Sequence, residues 1–192
     1  MPETAVRSVW LVWWLSWMAA ALWRDRTVSR PGRQHQIVYR LLAAAGAVLL
    51  FGLYRHDFGS EIILWHTRLL FAWVMVAVTV AGLLFTWWAR IHLGRLWSSG
   101  VTRKADHRVV DTGPYRIVRH PIYTGIIVAS IATATVRGTL LAWVGAFTMT
   151  LGWLIKARLE ERFLREQLGA AAYDAYARRV PMLSPFGARR RT

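Results

Sequence analysis

Five stretches of the chain are apolar almost from end to end, and short basic segments separate them. Val9–Trp23 carries no ionised side chain, Ile37–Tyr54 carries only Arg40 near its start, and Leu69–Ala89 is twenty-one residues without a charge. A helix of about 20 residues crosses about 30 Å of hydrocarbon, so the third run predicts a membrane span. Pro121–Val136 and Thr139–Ile155 are shorter, and only Arg137-Gly138 divides them. Together they predict a tight helical hairpin whose turn reaches the far side of the bilayer. Between the spans, Arg90–His120 holds Gly94, Gly100, Gly113 and Pro114, which predicts loop and short extended pieces. Lys156–Val180 predicts an amphipathic helix with Leu159, Phe163, Leu164, Leu168 and Ala172 along its apolar face. Gly169 is its candidate break, and Pro181 and Pro185 end it. The expected fold is all-α, an integral membrane helical bundle of about five transmembrane helices with a cytoplasmic loop region and C-terminal helix.

Composition sharpens this picture. Of 192 residues, 55% are hydrophobic and 12 are Trp, yet the formal net charge is +15. Such apolar content excludes a disordered chain. The absence of Cys excludes a disulfide framework, a thiolate-ligated metal site and a thiol nucleophile. A strongly basic chain raises nucleic acid as a partner, but the position of the charge argues against it. Of 25 Lys and Arg residues, 20 fall in 24–35, 90–120 and 156–192, all on one side of a five-span topology. Arg7, Arg55, Arg68 and Arg137 fall on the other, and Arg40 lies near the basic end of its span. This positive-inside pattern predicts a multi-pass protein of the bacterial inner membrane, N-terminus outside and C-terminus in the cytoplasm. The same bias attracts anionic lipid headgroups, so the expected partners are membrane lipids, not nucleic acid. Val9–Trp23 reads as a retained span, not a cleaved signal peptide, because a single Arg precedes it and it is dense in Trp. The clusters Trp10/Trp13/Trp14/Trp17 and Trp87/Trp88/Trp97 read as interface belts or helix packing.

The densest local pattern is the run from His107 to Gly125, in which Gly113-Pro114 signals a turn and Arg119-His120-Pro121 opens the fourth span. It gathers Tyr115, Arg119, His120 and Tyr123 at the cytoplasmic interface. Such a set can bind a ligand that is part charged and part apolar. The same residue types also serve as ordinary headgroup-level anchors, and composition alone leaves both readings open. Glu160-Glu161 stands among Lys156, Arg158, Arg162 and Arg165, and Glu161 and Arg165 have the order of a favourable i,i+4 pair on a solvated helix face. No phosphate-binding glycine loop, zinc-protease helix or nucleophile elbow is present, and the six His residues lack metal-ligand spacing, so no metal is expected.

The order Gly113-Pro-Tyr-x-x-x-Arg-His-Pro-x-Tyr-x-Gly125, then Glu160-Glu161, then Tyr173-x-x-Tyr176-x-x-x-Val180-Pro181, resembles the isoprenylcysteine carboxyl methyltransferase (ICMT) family, relatives of the phospholipid N-methyltransferases. Arg90-x-x-Leu93-Gly94-x-x-Trp97-Ser98 is similar to the family's preceding segment. The resemblance covers about residues 90–186. It implies an S-adenosylmethionine-dependent enzyme whose cofactor pocket is lined by His107, Arg108, Val109, Val110, Tyr115, Arg119, His120, Pro121, Ile122, Tyr123, Glu160 and Glu161. It maps the substrate-contacting cation to Lys156, with Arg158 beside it, and adds His120 and Tyr123 as groups at the chemistry. The implied acceptor is amphiphilic, lipid-like or prenylcysteine-type, with carboxylate O-methylation favoured. Phospholipid or amine N-methylation, small-thiol S-methylation, a nicotinamide-dependent membrane reductase and a non-enzymatic scaffold are the alternatives. The chain departs from the family in having three residues between Gly169 and Tyr173 and Lys at 156. The expected organisation is a single domain over 1–192: three spans in 1–89, a cytoplasmic cofactor-binding segment in 90–120, the hairpin in 121–155, and a cytoplasmic helix and tail in 156–192.

Overall fold

A computed structural model describes residues 1–20, 33–53, 62–94 and 110–186. Among these residues there are six α-helices and no strand: α1 (Pro2–Ala20), α2 (Arg33–Phe51), α3 (Leu69–Leu93), α4 (Pro121–Arg137), α5 (Leu140–Leu168) and α6 (Ala170–Arg179). A 3-10 turn, Gly113–Arg116, precedes α4. α3 and α5 are long and apolar enough to cross a membrane, while the apolar parts of α2 and α4 are shorter.

α3 runs along α4 and α2 along α5, and α4 turns back into α5. The pairs approach closely at glycines. A Cβ on Gly46 would lie 2.6 Å from the Met149 backbone nitrogen, and one on Gly82 2.7 Å from the Gly125 carbonyl oxygen. Small residues at a crossing let two backbones touch, which is how helices associate when the surroundings are as apolar as the side chains. The core between them contains Val6, Trp10, Leu50, Val76, Leu83, Ile126, Ala129 and Met149. Two of its indoles find partners inside it: Trp10 Nε1 donates to Thr133 Oγ1 (2.9 Å) and Trp13 Nε1 to Thr86 Oγ1 (2.8 Å). These two Trp residues therefore serve packing, whereas Trp14 and Trp88 face outward.

Two buried arginines close helix ends. Arg90 of α3 donates to the last carbonyl of α1, at Ala20, with its guanidinium 4.9 Å from the Trp17 ring. Arg137 of α4 donates to Leu50 O (2.6 Å) and Leu49 O (3.3 Å) at the end of α2. Each supplies positive charge where a helix C-terminus is negative. The contacts also fix the directions: the ends of α1 and α3 share one face of the bundle, and those of α2 and α4 share the other.

The α4–α5 hairpin forms as expected. Gly138 ends α4 in a left-handed conformation, and Thr139 caps α5. Segment 62–68 lies across the turn: Leu64 N donates to Gly138 O (2.7 Å), Leu140 N to Ile62 O (3.0 Å) and Thr67 Oγ1 to Thr135 O (2.7 Å). The other end of the hairpin departs from expectation. α5 does not stop at Ile155 but continues unbroken to Leu168, so the predicted amphipathic helix is its extension. Lys, Arg and Glu are good helix formers. Their arrival changes what surrounds the helix, not its backbone. The break falls at Gly169, φ +88°, where α6 begins. α3 likewise passes through Arg90 to Leu93, and α1 starts well before Val9.

The C-terminal segment is tied to the start of α4. Arg119 N donates to Pro181 O (2.9 Å), His120 N to Met182 O (3.1 Å) and Thr124 Oγ1 to Leu183 O (2.7 Å). The Arg119 side chain gives hydrogen bonds to Ala177 O (2.8 Å) and Val180 O (2.6 Å) at the end of α6. Tyr173, Tyr176 and Val180 form a small apolar cluster beneath, the two rings edge to face at 6.1 Å. This accounts for the spacing Tyr-x-x-Tyr-x-x-x-Val-Pro: one helix face, then a chain end in position to pair.

Two stability changes follow. Gly125→Ala sets a Cβ against the Gly82 carbonyl and should destabilise the detergent-solubilised protein by about 1–3 kcal/mol, read as a lowered Tm. Arg119→Ala leaves the Ala177 and Val180 carbonyls without their donor, and proteolysis should cut after α5 faster than in the parent chain; Arg119→Lys should rescue this poorly, because an ammonium lacks the planar fork.

Candidate active site

The site lies where the start of α4 meets the extension of α5. His120 precedes Pro121, which opens α4 with no N–H to satisfy. One turn on, Tyr123 lies three residues from His120, and the two rings stack at 5.4 Å with planes 9° apart. Trp153 of α5 continues the stack on Tyr123 at 5.1 Å. On α5, Trp153, Lys156 and Glu160 are spaced at i, i+3 and i+7, which puts them on one face.

Glu160 is the centre of the cluster. The Tyr123 hydroxyl donates to Glu160 Oε1 at 2.6 Å, a charge-assisted length. His120 Nδ1 lies 3.7 Å from Glu160 Oε2, and Lys156 Nζ lies 3.8 Å from Glu160 Oε1. The Lys156 ammonium is buried among three rings, 5.0 Å from the Tyr123 centroid, 5.4 Å from that of Trp153 and 5.5 Å from that of Tyr39. Contacts of this kind stabilise a cation by about 0.5–2 kcal/mol each.

Glu161, one position on, points to a different set. Arg119 Nε donates to its Oε1 at 2.7 Å, and His120 Nε2 is 3.3 Å from the same oxygen. The His120 ring is thus held between two carboxylates of neighbouring residues. Glu161 does not pair with Arg165, as the i,i+4 order suggested. Arg165 instead grips Asp174 with two bonds, 2.9 and 2.8 Å, across the Gly169 break. Tertiary partners outcompete the pairing along the helix.

Tyr115, in the 3-10 turn, is buried, and its carbonyl accepts a hydrogen bond from Tyr176 Oη at 2.8 Å. Burial, with the Glu160 charge adding to it, pushes the Tyr115 phenol well above the usual tyrosine range. Burial likewise raises Tyr173 and Tyr176. All three therefore remain O–H donors at neutral pH. His92 of α3 stacks beside Tyr115 at 6.3 Å and shares a 2.9 Å hydrogen bond with Thr112 Oγ1.

The residues singled out from the sequence separate into groups. His120, Tyr123, Lys156 and Glu160 come together, Tyr115 stands within electrostatic reach of Glu160, and Arg119 and Glu161 form a second ring of contacts behind His120. Pro121 is buried at the helix start, Ile122 packs against the apolar core, Val110 is half-buried before the turn, and Arg158 is exposed on another face of α5. His107, Arg108 and Val109 lie outside the described residues. Tyr39 and Trp153 escaped the sequence reading because each sits in an apolar run, where an aromatic reads as packing; the nearby Arg40 and Lys156 are the only local signals.

Aromatic faces, a carboxylate and a buried ammonium at the end of an apolar bundle can receive a ligand that is charged at one end and apolar at the other. Comparison with known proteins bears on which. The chain is 34% identical over 113 residues to a probable protein-S-isoprenylcysteine O-methyltransferase from rice (Oryza sativa subsp. indica), covering 58% of this chain and 53% of the relative. It is 46% identical over 80 residues to methanethiol S-methyltransferase 2 of Bradyrhizobium diazoefficiens, 41% of this chain and 29% of that one. It is 29% identical over 115 residues to the nickel-cobalt-cadmium resistance protein NccN of Alcaligenes xylosoxydans xylosoxydans, 59% and 52% respectively. The chain spans about half the length of the rice protein. Residues 73–166, which run from α3 through the Glu160-Glu161 pair, match the family model described as the isoprenylcysteine carboxyl methyltransferase (ICMT) family.

Proposed function

We propose that the protein is an S-adenosylmethionine-dependent methyltransferase acting at the cytoplasmic membrane interface on an amphiphilic, lipid-like or prenylcysteine-type acceptor, with carboxylate O-methylation favoured. The observation that carries this reading is the 2.6 Å bond from Tyr123 to Glu160 within a stack of rings, formed by residues 37 positions apart. The donor set fits the cofactor: the rings around Lys156 already accommodate a cation, and Glu160 is a partly buried acceptor for hydroxyl or amino groups.

S-adenosylmethionine, when bound, supplies an electrophilic methyl group on a cationic sulfur. The chain's own residues would do the rest. Tyr115, His120 and Tyr123 present ring faces, and Glu160 accepts hydrogen bonds. Arg119 and Glu161 hold His120 in place from behind, and Pro121 fixes the approach to it. His107, Arg108, Val109 and Val110 enter this proposal through the family resemblance alone. Lys156 guides an anionic head toward the site; a carboxylate needs no general base, and His120 or Glu161 is the proton acceptor should the head arrive protonated. Alignment of the two reactants is then the main catalytic task. In this reading α1–α5 are five spans and α6 is cytoplasmic, so an acceptor enters sideways from the bilayer with its tail among the helices. Arg90 and Arg137, which cap helix ends on opposite faces, support alternating directions for these helices. Methylation of a small thiol is the second reading, favoured by the similarity to methanethiol S-methyltransferases in Bradyrhizobium and Pseudomonas.

Calorimetric titration of S-adenosylhomocysteine into the detergent-solubilised protein should give saturable binding, and NADPH should give none. Tyr115→Leu, His120→Ala and Glu160→Gln should each weaken that binding about tenfold, the worth of a lost ring face or of a hydrogen bond to a charged group, while helical content and elution volume stay as in the parent. Tight NADPH binding, or three variants indistinguishable from the parent, would refute the assignment. A labelled-methyl screen should then find product among lipid-anchored acceptors; transfer only to water-soluble ones would end the lateral-entry scheme.

A further inference from the structure

Tyr39 and Trp153 carry polar atoms that the cluster around Glu160 leaves unused. The Tyr39 hydroxyl and the Trp153 Nε1 are buried without a hydrogen-bond partner. Tyr39 is 3% exposed, its ring is 5.5 Å from the Lys156 ammonium, and its phenol lies within electrostatic reach of Glu160 and Tyr123. Its neighbour Arg40 gives a hydrogen bond to Gln36 Oε1 (3.2 Å), stands 6.0 Å from the Tyr39 ring centroid and interacts with the Tyr39 phenol oxygen; a guanidinium can only donate there, so the Tyr39 O–H itself still lacks an acceptor. Tyr123 differs, since its hydroxyl is spent on Glu160. Buried donors are nearly always satisfied in native proteins, so two of them beside one ammonium call for a missing acceptor.

The chemistry of that acceptor follows from the donor set. An O–H, an N–H and an ammonium against aromatic walls complement a head that accepts hydrogen bonds and carries negative charge. An amine head would bring donors against donors and a cation toward Lys156. We propose that Tyr39 and Trp153, with Lys156, form the subsite for the acceptor's head group, and that it selects an anionic head, carboxylate or thiolate, over an amine. The inference rests on the methyltransferase reading and deepens it. Tyr39 lies on α2, outside residues 73–166 matched by the family model, so head-group selection is set here by a helix the shared motifs do not include.

The test uses the full chain in lipid–detergent micelles, with N-acetyl-S-farnesylcysteine as carboxylate probe, methanethiol as thiol probe and phosphatidylethanolamine vesicles as amine probe. Tyr39→Phe keeps the ring near Lys156 and removes only the hydroxyl; Trp153→Phe removes the N–H and keeps a stacking ring on Tyr123. Each should raise KM for the anionic probe about tenfold while kcat and S-adenosylhomocysteine affinity, measured by calorimetry, move less than about twofold. Which anionic probe turns over separates carboxylate from thiolate. Unchanged KM in both variants, an equal loss of S-adenosylhomocysteine affinity, or preferred methylation of the vesicle amine overturns the subsite. A parent protein that binds S-adenosylhomocysteine and transfers methyl, with both variants matching it, sinks this inference alone. A parent that does neither sinks the methyltransferase reading and this one with it.

Discussion

Two adjacent carboxylates at the end of an apolar helix would repel each other and resist burial, and the part of this molecule around the start of α4 is arranged so that neither is left alone. Glu161 is held by the guanidinium of Arg119, and Glu160 by the Tyr123 hydroxyl and the Lys156 ammonium, with His120 between them. Charges in a poorly solvated place are tolerated only when paired and hydrogen-bonded. The pairing recruits separate parts of the chain: α4 contributes Tyr123, the segment before it Arg119 and His120, and α5 both carboxylates. Through its other hydrogen bonds Arg119 also fastens the end of α6. Removing the Arg119–Glu161 pair would therefore loosen the C-terminal segment and His120 together.

The arginines at the helix ends follow the same logic. Arg137 is one of few cations that the charge distribution assigns to the far side, and by the positive-inside pattern it looks misplaced. Its hydrogen bonds to Leu49 and Leu50 carbonyls explain the placement: it is part of a helix end, not a free surface charge. Arg90, on the opposite face, does the same for α1 against a Trp ring.

How much of this was legible beforehand depended on whether a signal is local. The runs Leu69–Ala89, Pro121–Val136 and Thr139–Ile155 announce helices because burial in an apolar medium demands continuous apolar sequence, and the Arg137-Gly138 turn announces the hairpin. The end of α5 was not legible, since a change from apolar to charged residues marks a change of surroundings and leaves helix propensity intact. The meeting of His120, Tyr123 and Glu160 was readable only from motif order shared with a family; nothing in the spacing says which carboxylate faces which ring. Tyr39 had no signal beyond the neighbouring Arg40, because its role comes from the α2–α5 contact, and such partners are set by packing between distant segments. Glu161 misled for the same reason: its neighbour on the helix, Arg165, found a better partner across the Gly169 bend.

The unbroken run of α5 from Leu140 to Leu168 makes the stretch between the far turn and Lys156 a ruler. Each residue along it advances 1.5 Å and turns about 100°. An insertion or deletion of one residue anywhere between Gly138 and Trp153 would swing Lys156 and Glu160 off the face that meets Tyr123, with no loop in between to absorb the error. Length variation among natural versions of this chain should accordingly avoid that interval and collect where the helices end.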